Sequence, residues 1–94
     1  MESREIRVPF EIKQPHRAPS EQIKGYAINA CEAAGRQKVD QWNDGPDGKR
    51  YEYDSVSFVT TEGDHTDTEN DFFHGSKWKF NSTAVCELHY NKLD

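Results

Sequence analysis

The sequence is poor in apolar residues, which make up 33% of it, against about 45–50%, glycine included, in typical soluble domains. It has no stretch approaching the roughly 18 apolar residues of a transmembrane helix, and its first residues, MESREIRV, contain no apolar run of the signal-peptide kind. We therefore expect a cytoplasmic protein without membrane association. Aromatic residues reach 12%, which argues for a folded domain because disordered chains have few of them.

Cysteine is equally scarce, with only Cys31 and Cys86 in the chain. In a protein without a secretion signal, two cysteines are expected to be buried free thiols. A disulfide between them requires that both side chains face each other in an oxidising environment.

Motifs that carry catalysis are missing. The sequence contains no G-x-S-x-G, no G-x-G-x-x-G and no Walker lysine loop, so we expect a non-enzyme without cofactors. It also has no C-x-x-C or H-E-x-x-H spacing. We expect no metal site, and the remaining alternative is a small metalloprotein whose ligands would be His65, His74 and a cysteine.

Lysine and arginine are absent from one acidic segment, residues 61–71 (TEGDHTDTEND), which accounts for the whole net charge of −5. The other residues carry 12 acidic and 12 basic side chains, since the segment holds five of the 17 acidic residues and none of the 12 basic ones. Charge concentrated in this way produces a directional field. We predict a mobile acidic loop that faces a partner with a basic surface. Its carboxylates are Glu62, Asp64, Asp67, Glu69 and Asp71.

The first part of the chain predicts one strand and one helix. Residues 5–13 alternate between apolar and polar side chains, and Pro9 favours an edge position for this strand. Ser20 is the expected N-cap of a helix over about 21–34, whose apolar stripe includes Cys31 and which ends at Gly35.

The rest of the chain predicts strands. We expect a short strand over 37–42, a turn at 43–48, and a strand over 49–60 with a bulge at 54–55. Residues 76–90 form either one strand or a hairpin that turns at 81–83, and the hairpin is slightly favoured. The predicted fold is one α+β domain over residues 1–94, in the order β-α-β-β-β(-β), with one helix on a mostly antiparallel sheet of four to five strands.

Basic and aromatic residues alternate at Lys77-Trp78-Lys79, as they do in some platforms for single-stranded nucleic acid. On a strand, however, these lysines and the tryptophan face opposite sides. The sequence pI of about 5.3 also opposes binding to phosphates. A small single-stranded nucleic-acid or nucleotide-binding domain is therefore the first alternative, and we do not expect direct nucleic-acid binding.

Protein binding is the remaining class of function. In size and composition the chain resembles small phage- or mobile-element-encoded proteins that block a host machine. We therefore predict an inhibitor in the cytoplasm of the host cell that occupies a basic surface of a nucleic-acid-handling protein. Trp42, Tyr51 and Tyr53 are the predicted aromatic anchors beside the acidic loop. An exposed edge strand could also pair with a second copy of the chain, so a homodimer is a further possibility.

Overall fold

A computed structural model describes residues 1–46, 48, 50–71 and 75–93. Strand β1 spans Glu2–Gln14, helix α1 spans Ser20–Asn43, strand β2 spans Tyr51–Asp71 and strand β3 spans Gly75–Lys92. The predicted α+β class with one helix is confirmed. The prediction of four to five strands is wrong, because the described residues form a sheet of three.

The strand order is β1-β3-β2, and both neighbours run antiparallel to the central β3. Strands β1 and β2 are therefore parallel to each other, and α1 connects them across one face of the sheet. Both are edge strands. For β1 this agrees with Pro9, because proline has no N–H to donate to a second neighbour. Its predicted alternation is also confirmed, since Ile6 and Ile12 are buried while the intervening charged residues are exposed.

Helix α1 is longer than the sequence predicted. It begins at Ser20 after the N-cap residue Pro19, with no side-chain cap, and it continues to Asn43. The predicted strand over 37–42 is wrong, because these residues form the last turns of the helix. Its buried residues recur every fourth position along one stripe: Ala27, Cys31, Gly35 and Val39.

Gly35 is therefore a contact point inside α1 and not the end of the helix. A Cβ added there would lie 3.1 Å from Leu88 Cδ1 and 3.3 Å from Tyr53 Cε2. The missing side chain lets the helix approach the sheet closely.

The two helical glycines should respond in opposite ways to substitution. At Gly25 an added Cβ would meet nothing within 4 Å, so Gly25→Ala should raise the free energy of unfolding by about 0.5–1 kcal/mol through helix propensity alone. Gly35→Leu should lower it by about 1–3 kcal/mol, because the larger side chain overpacks the contact with Leu88. Urea denaturation of both variants measures the difference, and equal changes would contradict the close approach at Gly35.

The acidic segment is a strand and not a loop. β2 runs as one strand from Tyr51 to Asp71 and pairs with β3 from one end to the other, apart from the residues at its register shifts, so the prediction of a mobile loop at 61–71 is wrong. The bulge expected near 54–55 is confirmed by a register shift between Tyr53 and Ser55. Two further shifts lie between Phe58 and Thr60 and between Glu62 and His65.

Strand β3 also runs unbroken, so the hairpin favoured at 81–83 is wrong. Ser82, in the middle of the supposed turn, is buried and pairs with Phe10 of β1. Its hydroxyl lies 3.2 Å from the backbone oxygen of Glu62 and within hydrogen-bonding distance of the Asp64 carboxylate, so its single hydrogen has acceptors inside the sheet.

The two cysteines form a disulfide, which corrects the prediction of free thiols. Cys31 of α1 and Cys86 of β3 are both fully buried, and their Cα atoms are 6.0 Å apart. The bond ties the middle of the helix to the central strand. It lies within the main core cluster, which also contains Ile6, Ala27, Val39, Ala84 and Leu88. Within the part of the chain that the structure describes, no helix has the length and apolar character needed to cross a membrane.

Candidate functional site

The acidic residues of the segment are distributed over both faces of β2, because side chains alternate along a strand. One face of the sheet is covered by α1, and we call the other the open face. Glu62, Asp67 and Glu69 pair with odd-numbered residues of β3 and lie on the open face, while Ser82 on the helix side contacts Asp64. Glu62, Asp64, Asp67 and Glu69 therefore do not form one projecting cluster.

Glu62 is paired with a cation of β1. The Arg7 side chain reaches across β3, and its Nε donates to Glu62 Oε2 at 3.3 Å while Nη1 donates to Glu5 Oε2 at 2.6 Å. The hydrogen bonds that Arg7 donates to Glu62 and Glu5, together with the charges of these carboxylates, raise the pKa of the Arg7 guanidinium above its ordinary value. Val85 lies directly beside Arg7 in the register and is buried, although it is on the open face.

Asp64 is directed towards the helix side by the bulge between Glu62 and His65. Gly63, inside that bulge, has a φ of +67°, which a residue with a side chain rarely adopts. The Asp64 carboxylate accepts a hydrogen bond from the Ser82 hydroxyl. This hydrogen bond holds the carboxylate against β3, although Asp64 as a residue remains exposed.

Asp67 and Glu69 lie opposite lysines. In the register of β2 and β3, Asp67 pairs with Lys79 and Glu69 with Lys77, all on the open face. Opposite charges at directly paired positions stabilise a sheet modestly. Lys79 also lies 3.8 Å from the Glu11 carboxylate of β1, with which it forms an ion pair. The last acidic residue of the segment, Asp71, pairs with Gly75 in the register.

Beyond this segment, β2 as a whole is the acidic strand of the sheet. It contains no lysine or arginine, whereas β1 has three acidic and three basic residues and β3 has three lysines and one glutamate. The carboxylates of β2 number seven: Glu52, Asp54, Glu62, Asp64, Asp67, Glu69 and Asp71. Negative charge thus follows one edge of the sheet.

Two of the predicted aromatic anchors meet at the C-terminal end of α1. The Trp42 ring lies 5.4 Å from Tyr51 and 5.0 Å from Tyr90, centroid to centroid, in edge-to-face geometry. Asn43 fixes Tyr51 there, since its Oδ1 accepts from the Tyr51 N–H at 2.9 Å and its Nδ2 donates to the Tyr51 carbonyl at 2.8 Å. The Arg4 guanidinium lies 5.1 Å from the Trp42 ring centroid, and these four side chains line a cleft of about 290 Å³.

Tyr53, the third predicted anchor, is separate from this trio. The Arg36 Cζ atom lies 4.5 Å from the centroid of the Tyr53 ring, and the edge of that ring lies close to Gly35. All three anchors are half-buried and pack against the main core. By register they lie at the opposite end of the β2–β3 ladder from Asp67 and Glu69. The structure therefore does not bring the aromatic and acidic residues together.

The sequence did not single out Arg17 and Lys24, which line a groove beside the start of α1. Each is an isolated cation in an ordinary polar stretch, so no spacing or periodicity marks it. Their proximity to β2 follows from where the helix begins above the sheet.

The residues named for nucleic-acid binding and for a metal site are not brought together as those two alternative functions require. Trp78 is buried on the helix side, 8% exposed, while Lys77 and Lys79 lie on the open face, so the three do not form a stacking platform. Both cysteines are in the disulfide and are not available as metal ligands. His74 lies outside the described residues, which contain no cluster of three His, Cys, Asp or Glu side chains suited to a metal ion.

Comparison with known proteins adds no relative. No family model matches the chain, and neither a curated protein nor a solved structure is detectably similar to it.

Proposed function

We propose that this chain is a non-enzymatic protein-binding module that pairs with a basic segment of another protein through the free edge of β2. The observation that carries the proposal is the edge position of the most acidic strand. β3 occupies one side of β2, and no strand of the described residues pairs with the other side. An edge strand presents unpaired N–H and C=O groups, to which an extended partner segment can add as a further strand.

The part of this edge best suited to pairing with an added strand is residues 65–71. Three bulges interrupt the earlier part of β2, but from His65 to Asp71 the register with β3 is regular. A partner strand added here would place every second side chain on the open face. Lysine or arginine at those positions would meet Asp67 and Glu69, so the backbone would supply affinity and the charges would supply register and steering.

The same charges oppose self-association through this edge. Pairing β2 with β2 of a second copy would bring seven carboxylates on each strand together without a lysine or arginine. On the other edge, Pro9 interrupts β1 as a hydrogen-bonding strand. A basic partner therefore fits the free edge of β2 better than the homodimer that the sequence left open.

Proteins that handle nucleic acids have dense lysine and arginine surfaces, and occupying such a surface would inhibit them. That inhibitor role, of the phage or mobile-element type, is part of the proposal. The cytoplasmic location stays a prediction. The disulfide argues against it, because disulfides persist mainly in oxidising compartments.

A defined peptide tests the edge-pairing step. A fluorescein-labelled peptide with alternating lysine and threonine should bind, with an affinity that falls as salt is raised. Asp67→Asn combined with Glu69→Gln should weaken binding roughly fivefold, as expected for the loss of two exposed ion pairs. Fluorescence anisotropy gives the affinity, and amide exchange should show new protection over 65–71.

Matched controls separate pairing from net charge. Asp40→Asn combined with Glu32→Gln removes the same two charges from exposed positions of α1, and it should leave the affinity unchanged. A peptide of the same composition with its lysines in one block should bind more weakly. Equal losses in the two double variants, or no protection over 65–71, would overturn pairing at this edge.

A further inference from the structure

A groove lies between the beginning of α1 and the middle of β2, whose residues line its two sides. Near its start, Ile23 packs against a small cluster that includes Ile12 of β1 and Phe80 of β3. Three turns later, Gly35 lies against Tyr53 of β2 and Leu88 of β3. The second half of α1 therefore packs against β2 near Tyr53. Beside the start of α1, the helix-facing side of β2 lines a groove instead.

The groove consists of two adjoining cavities of about 570 and 450 Å³. Arg17, Ser20, Ile23, Thr66 and Phe80 line both cavities, so they form one continuous space. Ile23 and Phe80 make its apolar floor, and Trp78 and Phe58 extend that floor at the two ends. Val59, 59% exposed, adds apolar surface at the margin.

Two basic side chains line the groove, Lys24 from the first turns of α1 and Arg17 from the segment just before the helix. Among the residues that the structure describes, the Arg17 and Lys24 side chains take part in no ion pair or hydrogen bond. One carboxylate, Asp64, also lines the groove and accepts a hydrogen bond from the Ser82 hydroxyl, so the two cations leave the lining with a net positive charge. Both cations are exposed and free to meet an incoming anion.

We propose that this groove is a second docking site, which receives an acidic segment of a partner protein. An apolar side chain of the segment enters above Ile23 and Phe80, and a neighbouring carboxylate meets Arg17 and Lys24. The inference rests on the proposed function in one respect, that the ligand is a protein. It concerns a different surface of β2 and the opposite charge on the partner.

The experiment uses a labelled peptide of alternating leucine and aspartate. We expect it to bind the intact protein in fluorescence anisotropy, and to lose about tenfold in affinity when Arg17→Gln and Lys24→Gln are combined. Thr66→Tyr should also weaken binding by about tenfold, because the ring would fill the space shared by the two cavities. Thr66 is an exposed strand position where tyrosine is well tolerated, and circular dichroism checks the fold.

The controls decide the nature of the occupant. Lys13→Gln with Lys92→Gln removes two exposed cations elsewhere and should leave the affinity unchanged. Peptides with serine in place of leucine, or asparagine in place of aspartate, should bind more weakly. Binding that is indifferent to Thr66→Tyr or to loss of leucine would overturn the proposal. So would binding of decanoate but not of the peptide, which would indicate a lipid site.

The two proposals can fail separately. The Asp67→Asn and Glu69→Gln double variant should bind the leucine–aspartate peptide no more weakly than the wild-type protein does. The Arg17→Gln and Lys24→Gln double variant should likewise keep its affinity for the lysine–threonine peptide. If only the lysine–threonine peptide and its block-lysine control fail to behave as expected, edge pairing is wrong and the groove proposal stands. The reverse result overturns the groove alone.

Discussion

Replacing both Cys31 and Cys86 by alanine is expected to lower the free energy of unfolding by about 4 kcal/mol. The cross-link closes a loop with a sequence separation of 55 residues, and in the chain-entropy account such a loop restricts the unfolded state by about this amount. Alanine keeps both buried positions apolar. The melting temperature should fall by on the order of 15–30 °C in a domain of this size.

Thermal denaturation followed by circular dichroism measures this effect, with and without dithiothreitol. Reductant should lower the melting temperature of the wild-type protein and leave that of the double alanine variant unchanged. Titration of the wild-type chain in guanidinium chloride without reductant should detect no reactive thiol. A melting temperature that is insensitive to reductant, together with reactive thiols, would show that the cysteines are not bonded.

Leu88→Ala should produce the next largest loss, about 3 kcal/mol, because it leaves a cavity at the helix–sheet contact. Leu88 is fully buried in the central strand, between Arg4 of β1 and Val56 of β2, and its Cδ1 is the nearest atom to the Cβ position of Gly35. The melting temperature should fall by on the order of 15 °C.

Val59→Ala is the matched control, since it also shortens an aliphatic side chain on a strand. Val59 is 59% exposed, so its truncation should cost less than about 1 kcal/mol. Urea denaturation of the two variants gives the comparison. Similar losses at both positions would contradict the placement of Leu88 at the centre of the core.

The sequence predicted the structure correctly where the pattern of apolar residues was regular. It was misleading where one residue type is compatible with two different structural roles. Strand β1 followed from its alternation alone. Gly35 was interpreted as a helix stop because glycine commonly ends helices, whereas it continues the stripe of Ala27, Cys31 and Val39. Glycine at a close helix–sheet contact and glycine at a helix end look the same without the packing partner, here Leu88.

A high density of charge does not by itself distinguish a loop from a strand, and the acidic segment is part of a strand. Its threonines favour strands, and Asp67 and Glu69 match Lys79 and Lys77 across the ladder. That complementarity was present in the sequence, but it emerges only once β3 is known to be unbroken. The expected hairpin at 81–83 concealed it by assigning those lysines to a separate strand.

The cysteines and the groove illustrate two different limits. Cys31 and Cys86 each fell on an inward-facing position, so their meeting was compatible with the pattern, and only the assumed reducing compartment favoured thiols. The groove had no such signal. Its cations, Arg17 and Lys24, gain significance from the position of the start of α1 beside β2, which is a tertiary property.

The strand order has a consequence for biogenesis. Because β3 is the last strand in sequence and lies in the middle of the sheet, neither β1 nor β2 has its hydrogen-bonding neighbour while the ribosome is still making the first three elements. Long-range pairing of this kind is slow to form. The sheet can therefore assemble only after β3 has been made, and until then the apolar residues of β1 and α1 have no complete sheet to pack against.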